Sequence, residues 1–406
     1  MSYAHHMGKG ILSVSIRVIV LVYCLATVVY LSSYPNIFQW DFKAYYYAAR
    51  AYAAGLNPYD VVVTAAVGEY SDFRGSFRFI YPLPMLFLFL PLSLLSYTAA
   101  LHLFLLIKCV LLAGLIYLWG KEFLEDKPNL SFYLFCIVAF NSPLYIDLRA
   151  GNVAIIEQFT LWLAFYFFLK RRLLLFCLFI LIPATIKVTP LLFLSLLWFL
   201  EGRGRRLYFF GSLLIFVMTL SLFHFCTPVL FASFLCQAGR TVVKASQPST
   251  FALLGDLLGQ LGMDACPVVA HCIHVVLFFA IAMAILAVTW RACVVLRSRH
   301  AISREKILIF LVCTVYAVIL PHFEDYSYII VLVPAYAILR RSRPGGLCAL
   351  LLFMTLSAAG TTLPLVHPLM RIMLAYSPLI LTYLVWGLYV REISSRSKVS
   401  EGQGEL

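Results

Sequence analysis

The sequence predicts an all-α polytopic membrane protein, with about twelve transmembrane helices and further helices at the outer interface. Two observations carry this. Hydrophobic residues make up 63% of the 406-residue chain and charged residues only 12%, too little charge to cover a soluble surface. Apolar runs of about 20 residues recur from end to end, the length a helix needs to cross a bilayer. Lipid allows only helices or a closed barrel, and these unbroken runs lack the alternation of a barrel.

In chain order the predicted spans are 11–32, 97–119, 131–149, 153–169, 173–186, 188–200, 207–226, 270–290, 306–320, 327–340, 344–360 and 372–391. Both termini then lie inside. The formal net charge is +13, and the inner segments (the N-terminus, 120–129, 170–172, 201–206, 291–306, 339–343 and 391–406) hold 20 of the 31 Lys and Arg. The outer segments hold 9, and Arg17 and Lys108 fall inside spans. This asymmetry is the positive-inside rule, and it leaves no basic surplus for nucleic acid. The first run is long enough to remain as a span and has no small-residue cleavage pattern. No internal repeat supports an inverted-repeat transporter. The chain reads as one integral-membrane domain over 1–391, with a polar, disordered tail over 392–406. Most of the cysteines sit in apolar runs as small buried residues. Cys236 and Cys266 share an outer loop, where a disulfide and two free thiols fit equally well.

Three features break the regular pattern. The outer segment 33–96 carries many aromatics and ends in Tyr81-Pro82-Leu83-Pro84 plus an apolar run too short to span, read as an interfacial helix. The halves 173–186 and 188–200 each reach only roughly 20 Å against a core of roughly 30 Å. Pro183, Lys187 and Pro190 stand at their joint, which therefore lies below the membrane surface, where irregular backbone needs protein or a cavity around it. The outer loop 227–268 is polar. Together these predict an outward-facing cavity roofed by loops.

Within the first outer segment, a helix over 41–54 carries a stripe of Ala44, Ala48 and Ala51 that permits close packing. Asp41 at its start suits an N-cap, and Gly55 followed by Leu56-Asn57-Pro58-Tyr59 reads as a helix stop and turn. Lys187 is a functional residue at a broken-helix joint or a lysine snorkelling to the surface. Arg149 is a binding residue or pairs with Asp147. His322 and Glu324 belong to a polar cluster between two spans, a site for substrate or an interfacial loop. Lys108 inside its span is read as structural, paired with Glu157.

Asp41-Phe42-x-x-Tyr45-Tyr46-x-Ala48-Ala49, then Gly55-x-Asn57-Pro58-Tyr59 and Tyr81-Pro82-x-Pro84, resembles the bacterial polyprenyl-phosphate-mannose-dependent α-1,2-mannosyltransferases of the GT-C superfamily. Gly151-Asn152, Ile186-Lys187-Val188-Thr189-Pro190 and His322 before Tyr328 and Pro334 follow in similar order. One departure is Asn152, where the pattern leads one to expect Gln. The resemblance implies GT-C architecture and an inverting sugar transfer, with Asp41 as general base. The partners are a polyprenyl-phosphate-linked sugar donor, a glycolipid or glycan acceptor and membrane lipid, on the outer face of a bacterial cytoplasmic membrane. Lys187, Arg149 and His322 are the donor-phosphate candidates. Lys43, Tyr45, Asn57, Tyr59, Asn152 and Glu324 are the substrate-binding candidates. No cofactor and no metal is expected, since no spacing matches a strong metal pattern. The alternative is a flippase, polymerase or other transporter of polyprenyl-linked glycans.

Overall fold

The computed structural model describes residues 22, 26–27, 29–31, 33, 38–67, 78–125, 128–201, 204–239, 247–262, 267–297, 304–341 and 368–402. Every regular element among them is helical. The first predicted span lies mostly outside the described residues and the 344–360 span wholly so.

The outer segment opens with α1 (Trp40–Ala53), α2 (Val61–Val67) and α3 (Leu83–Ser93). The α1 stripe is buried, with Ala48 and Ala51 at 0% exposure, and α1 packs on α3. Phe42 stacks on Phe104, ring centroids 4.9 Å apart, and Tyr45 meets Phe89 at 4.8 Å. The small residues bring the backbones close and the aromatics fill the flanks. Gly55, at φ +74°, ends α1 as predicted: the Gly55 N–H donates to the Tyr52 carbonyl and the Leu56 N–H to the Ala51 carbonyl.

Next come α4 (Tyr97–Leu118), prolonged by a π turn at Trp119–Phe123, and α5 (Leu130–Val138). The predicted span 131–149 is broken. Phe140, Asn141 and Ser142 take φ values of 55°, 62° and 59°, and the segment 130–141 meets α6 (Pro143–Ala150) at 66°. Pro143 disfavours helix at the residue before it, and Asn141 tolerates the left-handed turn. The bend sends α6 across to α1.

The remainder is α7 (Ala154–Leu169), α8 (Leu173–Ala184), a 3-10 helix at Thr189–Phe199, α9 (Arg205–Cys226), α10 (Pro228–Gly239), α11 (Thr250–Gln260), α12 (Pro267–Arg297) and α13 (Arg304–Ile319). A second 3-10 helix (Asp325–Val331), α14 (Leu332–Arg341), α15 (Pro368–Ala375) and α16 (Ser377–Gly402) complete the chain. The break between 173–186 and 188–200 stands where the prolines place it. Its second half is wound as 3-10 helix, whose rise of about 2.0 Å per residue lengthens a short segment.

Among the described residues three helices are long and apolar enough to cross a membrane, namely α4 with its π turn, α9 and α12, or four if the bent pair is one span. The expectation of about twelve is therefore not met by length alone, because several segments are short or bent. Two further expectations are corrected. The loop 227–268, expected to be polar, contains helices α10 and α11, the first of them (Pro228–Gly239) apolar, and the tail continues as helix to Gly402. Cys266 lies outside the described residues.

Gly151, at φ +69°, caps α6 against α1. A Cβ there would meet Gln39 Oε1 at 2.5 Å and Phe42 Cβ at 2.8 Å, whereas one at Gly55 would meet nothing within 4 Å. Gly55→Ala carries only the backbone cost, about 1–2 kcal/mol. Gly151→Ala adds a steric clash and is expected to lower the melting temperature in detergent by clearly more. Equal shifts would show that α1 and α6 are not in close contact.

Candidate functional site

The site grows from the end of α6. The Gly151 and Asn152 N–H groups both donate to the Asp147 carbonyl, and Gln39 fastens this turn to α1 by donating from its N–H to the Arg149 carbonyl and from Nε2 to the Leu148 carbonyl. Gln39, not Asp41, is the N-cap residue of α1. Asp41 stands in the first turn and turns its carboxylate away, so that Oδ2 accepts from Asn152 Nδ2 at 2.7 Å. The same amide nitrogen donates to Tyr45 Oη at 3.0 Å, while Asn152 Oδ1 accepts the Ala154 N–H at 3.0 Å. Tyr45 Oη donates on to Tyr81 Oη at 3.2 Å. Both amide hydrogens of Asn152 are thus used, and the residue is fully buried.

Beneath it lies an ion pair that the sequence reading assigned differently. Lys108 pairs with Asp147, Nζ to Oδ2 2.6 Å with both side chains fully buried, and not with Glu157. Lys108 Nζ also donates to the Asp147 carbonyl at 2.8 Å, and Asp147 Oδ1 accepts the Ala154 N–H at 3.1 Å. The bend before Pro143 decides the exchange, because it carries Asp147 inward to α4. Asp147 is therefore not the partner of Arg149. The exposed Arg149 guanidinium lies over the rings of Phe38 and Trp40, at 5.3 and 5.9 Å.

Glu157 instead holds Lys187, Nζ to Oε2 3.2 Å, and Lys187 also lies 5.2 Å from the centre of the Tyr326 ring. The Lys187 side chain, at the broken-helix joint, stays 25% exposed. Next to it Thr189 and Tyr316 share a hydroxyl–hydroxyl bond of 2.8 Å. From the far side Glu324 Oε1 accepts from Gln247 Nε2 at 2.8 Å and faces His322 Nε2 at 3.1 Å, with side-chain exposures of 32% for Glu324 and 41% for His322. Asp41, Lys187, Glu324 and His322 are the partly open members of the cluster; Tyr45, Asn152 and Asp147 are closed.

Two partly open carboxyls of this region are raised, Asp325 to about 6 by burial and the Glu324 charge, and Asp41 further. Burial pushes its carboxyl up, and the charges of Glu324 and Asp147 add to this; the Asn152 hydrogen bond and the Lys187 charge oppose it, leaving a pKa of about 7. Glu324 goes the other way. Burial raises it, but hydrogen bonds from His322 and Tyr326 and the charges of His322 and Lys187 hold it below the usual carboxylate range.

The other candidates stand apart from this cluster or shape it. Asn57 caps the turn by accepting the Tyr59 N–H and donates to Ser233 on α10 at 3.0 Å. Tyr59 is buried, its hydroxyl donating to the Tyr81 carbonyl at 3.0 Å. Lys43 is buried on α1, and burial pulls its ammonium below the usual lysine range. Gln39 and Gln247 carry site contacts that no local pattern marked, and Tyr81, named only within the Tyr-Pro-x-Pro motif, carries another. Among the described residues no group of three or more His, Cys, Asp or Glu is placed to hold a metal ion.

The sequence model of glycosyltransferase family 87 matches residues 79–321. This stretch contains Tyr81, Asn152, Glu157 and Lys187 and ends one residue before His322; Asp41 precedes it. No curated protein and no solved structure matches the chain.

The buried pair yields a stability prediction. Lys108→Met leaves Asp147 charged and unpaired, a cost of about 3–5 kcal/mol, read as a lowered unfolding temperature in detergent. Adding Asp147→Asn keeps an acceptor for the Ala154 N–H and is expected to restore part of the loss. A double variant no more stable than Lys108→Met would refute the pairing.

Proposed function

Because the chain belongs to glycosyltransferase family 87, we propose that it moves a sugar from a polyprenyl-phosphate donor to a hydroxyl of a lipid-linked or envelope glycan. On the motif resemblance the sugar is mannose. The reaction takes place at the outer face of a bacterial cytoplasmic membrane, in a GT-C bundle of about twelve spans. The observation that carries this reading is Asp41, a half-open carboxylate held by Asn152, poised near pH 7 and within the field of the Lys187 cation.

The chemistry follows from that geometry. The acceptor O–H gives its proton to Asp41 while its oxygen bonds to C1 of the sugar. The C1–O bond to phosphate breaks on the opposite face, and its electron pair leaves with the polyprenyl phosphate, so the configuration inverts. No acid is needed for so stable a leaving group, but its charge must be met by fixed cations. Lys187 supplies one, seated by Glu157. Arg149, spread on two rings at the mouth, keeps its N–H edge for phosphate oxygens, and His322 completes the set beside Glu324. Asn152 acts through Asp41, fixing the carboxylate that must face the acceptor. Family membership weighs against the transporter alternative.

With radiolabelled polyprenyl-phosphate mannose and a panel of glycolipid acceptors, Asp41→Asn is expected to lose about 10²–10⁴-fold in transfer while remaining folded. Only the ionised carboxylate takes a proton, so wild-type kcat/KM should rise with pH through about 7 and level off above it. Equal transfer by wild type and Asp41→Asn would remove Asp41 as base.

Lys187→Met is expected to lose about 10²–10³-fold in transfer, with Lys187→Arg recovering part. Unchanged donor turnover in Lys187→Met would move the phosphate site elsewhere.

A further inference from the structure

Tyr81 brings a hydroxyl to the Asp41 cluster, and the local sequence fixes where it stands. The residue before a proline is biased to extended backbone. Pro82 is itself extended, at φ −60° and ψ 156°, where α3 starts. The Tyr59 hydroxyl donates to the Tyr81 carbonyl at 3.0 Å. The Tyr81 ring is flanked by Tyr45 and Phe79, at 5.3 and 5.9 Å between ring centres. Backbone and ring are thus both tied from neighbouring residues.

The phenol oxygen is an acceptor in this network. Tyr45 Oη donates to it at 3.2 Å, and the Asn152 amide also favours negative charge on it. Donor edges on that side leave its own hydrogen directed elsewhere. Among the described residues nothing accepts that hydrogen, and Tyr81 is only partly buried.

Two charges of the site act on the same phenol. The Lys187 ammonium favours its ionised form and the Asp41 carboxylate opposes it. Burial prevails and holds the phenol above the usual tyrosine range. At neutral pH Tyr81 is therefore an uncharged donor of one hydrogen bond. Tyr326, whose ring lies 5.2 Å from the Lys187 ammonium, is also acted on by the Tyr81 phenol. The unused hydrogen thus lies within the field of both the proposed base and the proposed phosphate cation, the two groups between which the sugar must pass.

We propose that Tyr81 is a further catalytic residue of this transfer, its O–H donating to an oxygen of the donor's leaving phosphate. The inference rests on the sugar-transfer reading above. As the C1–O bond breaks, its electron pair stays on the phosphate oxygen. The Tyr81 hydrogen bond strengthens as that charge grows, its proton stays on the phenol, and the acceptor's proton goes to Asp41. Such a donor acts mainly in the transition state, where it adds to the Lys187 charge.

The test joins transfer kinetics from radiolabelled polyprenyl-phosphate mannose with calorimetric binding of the product, polyprenyl phosphate, to the purified full-length protein in detergent. Tyr81→Phe removes only the hydroxyl. It should lower kcat about 10–100-fold and weaken polyprenyl phosphate about ten-fold, with no effect on uncharged polyprenol. The pH at which kcat/KM turns should stay near 7, since Asp41 keeps Asn152. Lost transfer with unchanged polyprenyl phosphate binding would overturn the proposal, and a displaced inflection would then show that Tyr81 serves Asp41 instead. So would a Tyr81→Phe protein equal to an active wild type in rate and binding. Wild-type protein that neither transfers sugar nor binds polyprenyl phosphate would overturn the transfer reading, and this inference with it. Should Tyr81→Phe fail to purify folded, 3-fluorotyrosine incorporated at Tyr81, which keeps the hydroxyl, decides. Its fluorine resonance should shift on saturation with polyprenyl phosphate and not with polyprenol, and no shift would refute the contact.

Discussion

The Lys108–Asp147 ion pair is the constraint on which the rest of the site depends. Two charges fully removed from water are tolerated only when each is met by an opposite charge and by hydrogen bonds. Lys108 satisfies this by reaching both the carboxylate and the carbonyl of Asp147, and Asp147 in turn receives the Ala154 N–H. One residue thereby fixes the end of α6, the start of α7 and the middle of α4. The turn between α6 and α7 contains Asn152, so the position of Asn152 follows from the pair, and the position of Asp41 follows from Asn152.

What this frame achieves at Asp41 is a balance of opposed terms. Burial and two like charges disfavour the carboxylate; one good hydrogen bond and one cation favour it. Burial wins and lifts the carboxyl to about 7, which leaves a group able to hold or release a proton near neutrality. Lys187 enters that balance from a different element and is itself seated by Glu157. Two acidic residues thus serve as structural partners of lysines, which leaves Asp41 and Glu324 as the partly open carboxylates of the cluster, with different proton affinities.

Part of the irregular backbone gathers at this cluster: Phe140 of the left-handed run and Lys187 of the 185–188 joint both meet rings, Tyr328 and Tyr326, of the second 3-10 helix. In hydrocarbon such backbone persists only when protein or a water-filled cavity surrounds it. The left-handed run is braced by Phe140 stacked on Tyr328, 5.7 Å between ring centres.

The sequence by itself determined the solvent and the broad architecture, because composition and apolar run length are local quantities that respond directly to lipid. It also determined the Gly55 stop, the small-residue face of α1 and the broken joint carrying Lys187, since glycine, alanine and proline act on the backbone where they stand. Only the tertiary structure decided the pairings. Lys108 reads in the sequence as the partner of Glu157, and a 66° bend, itself set by three left-handed residues, gave it Asp147 instead and left Glu157 for Lys187. Asp41 read equally as a cap or a site residue, and the distant Asn152 amide settled where its carboxylate points. Gln39 and Gln247 left no local trace at all. A buried charge is satisfied by whichever partner the fold brings within about 3 Å, and that partner is a property of chain crossings that no local spacing records.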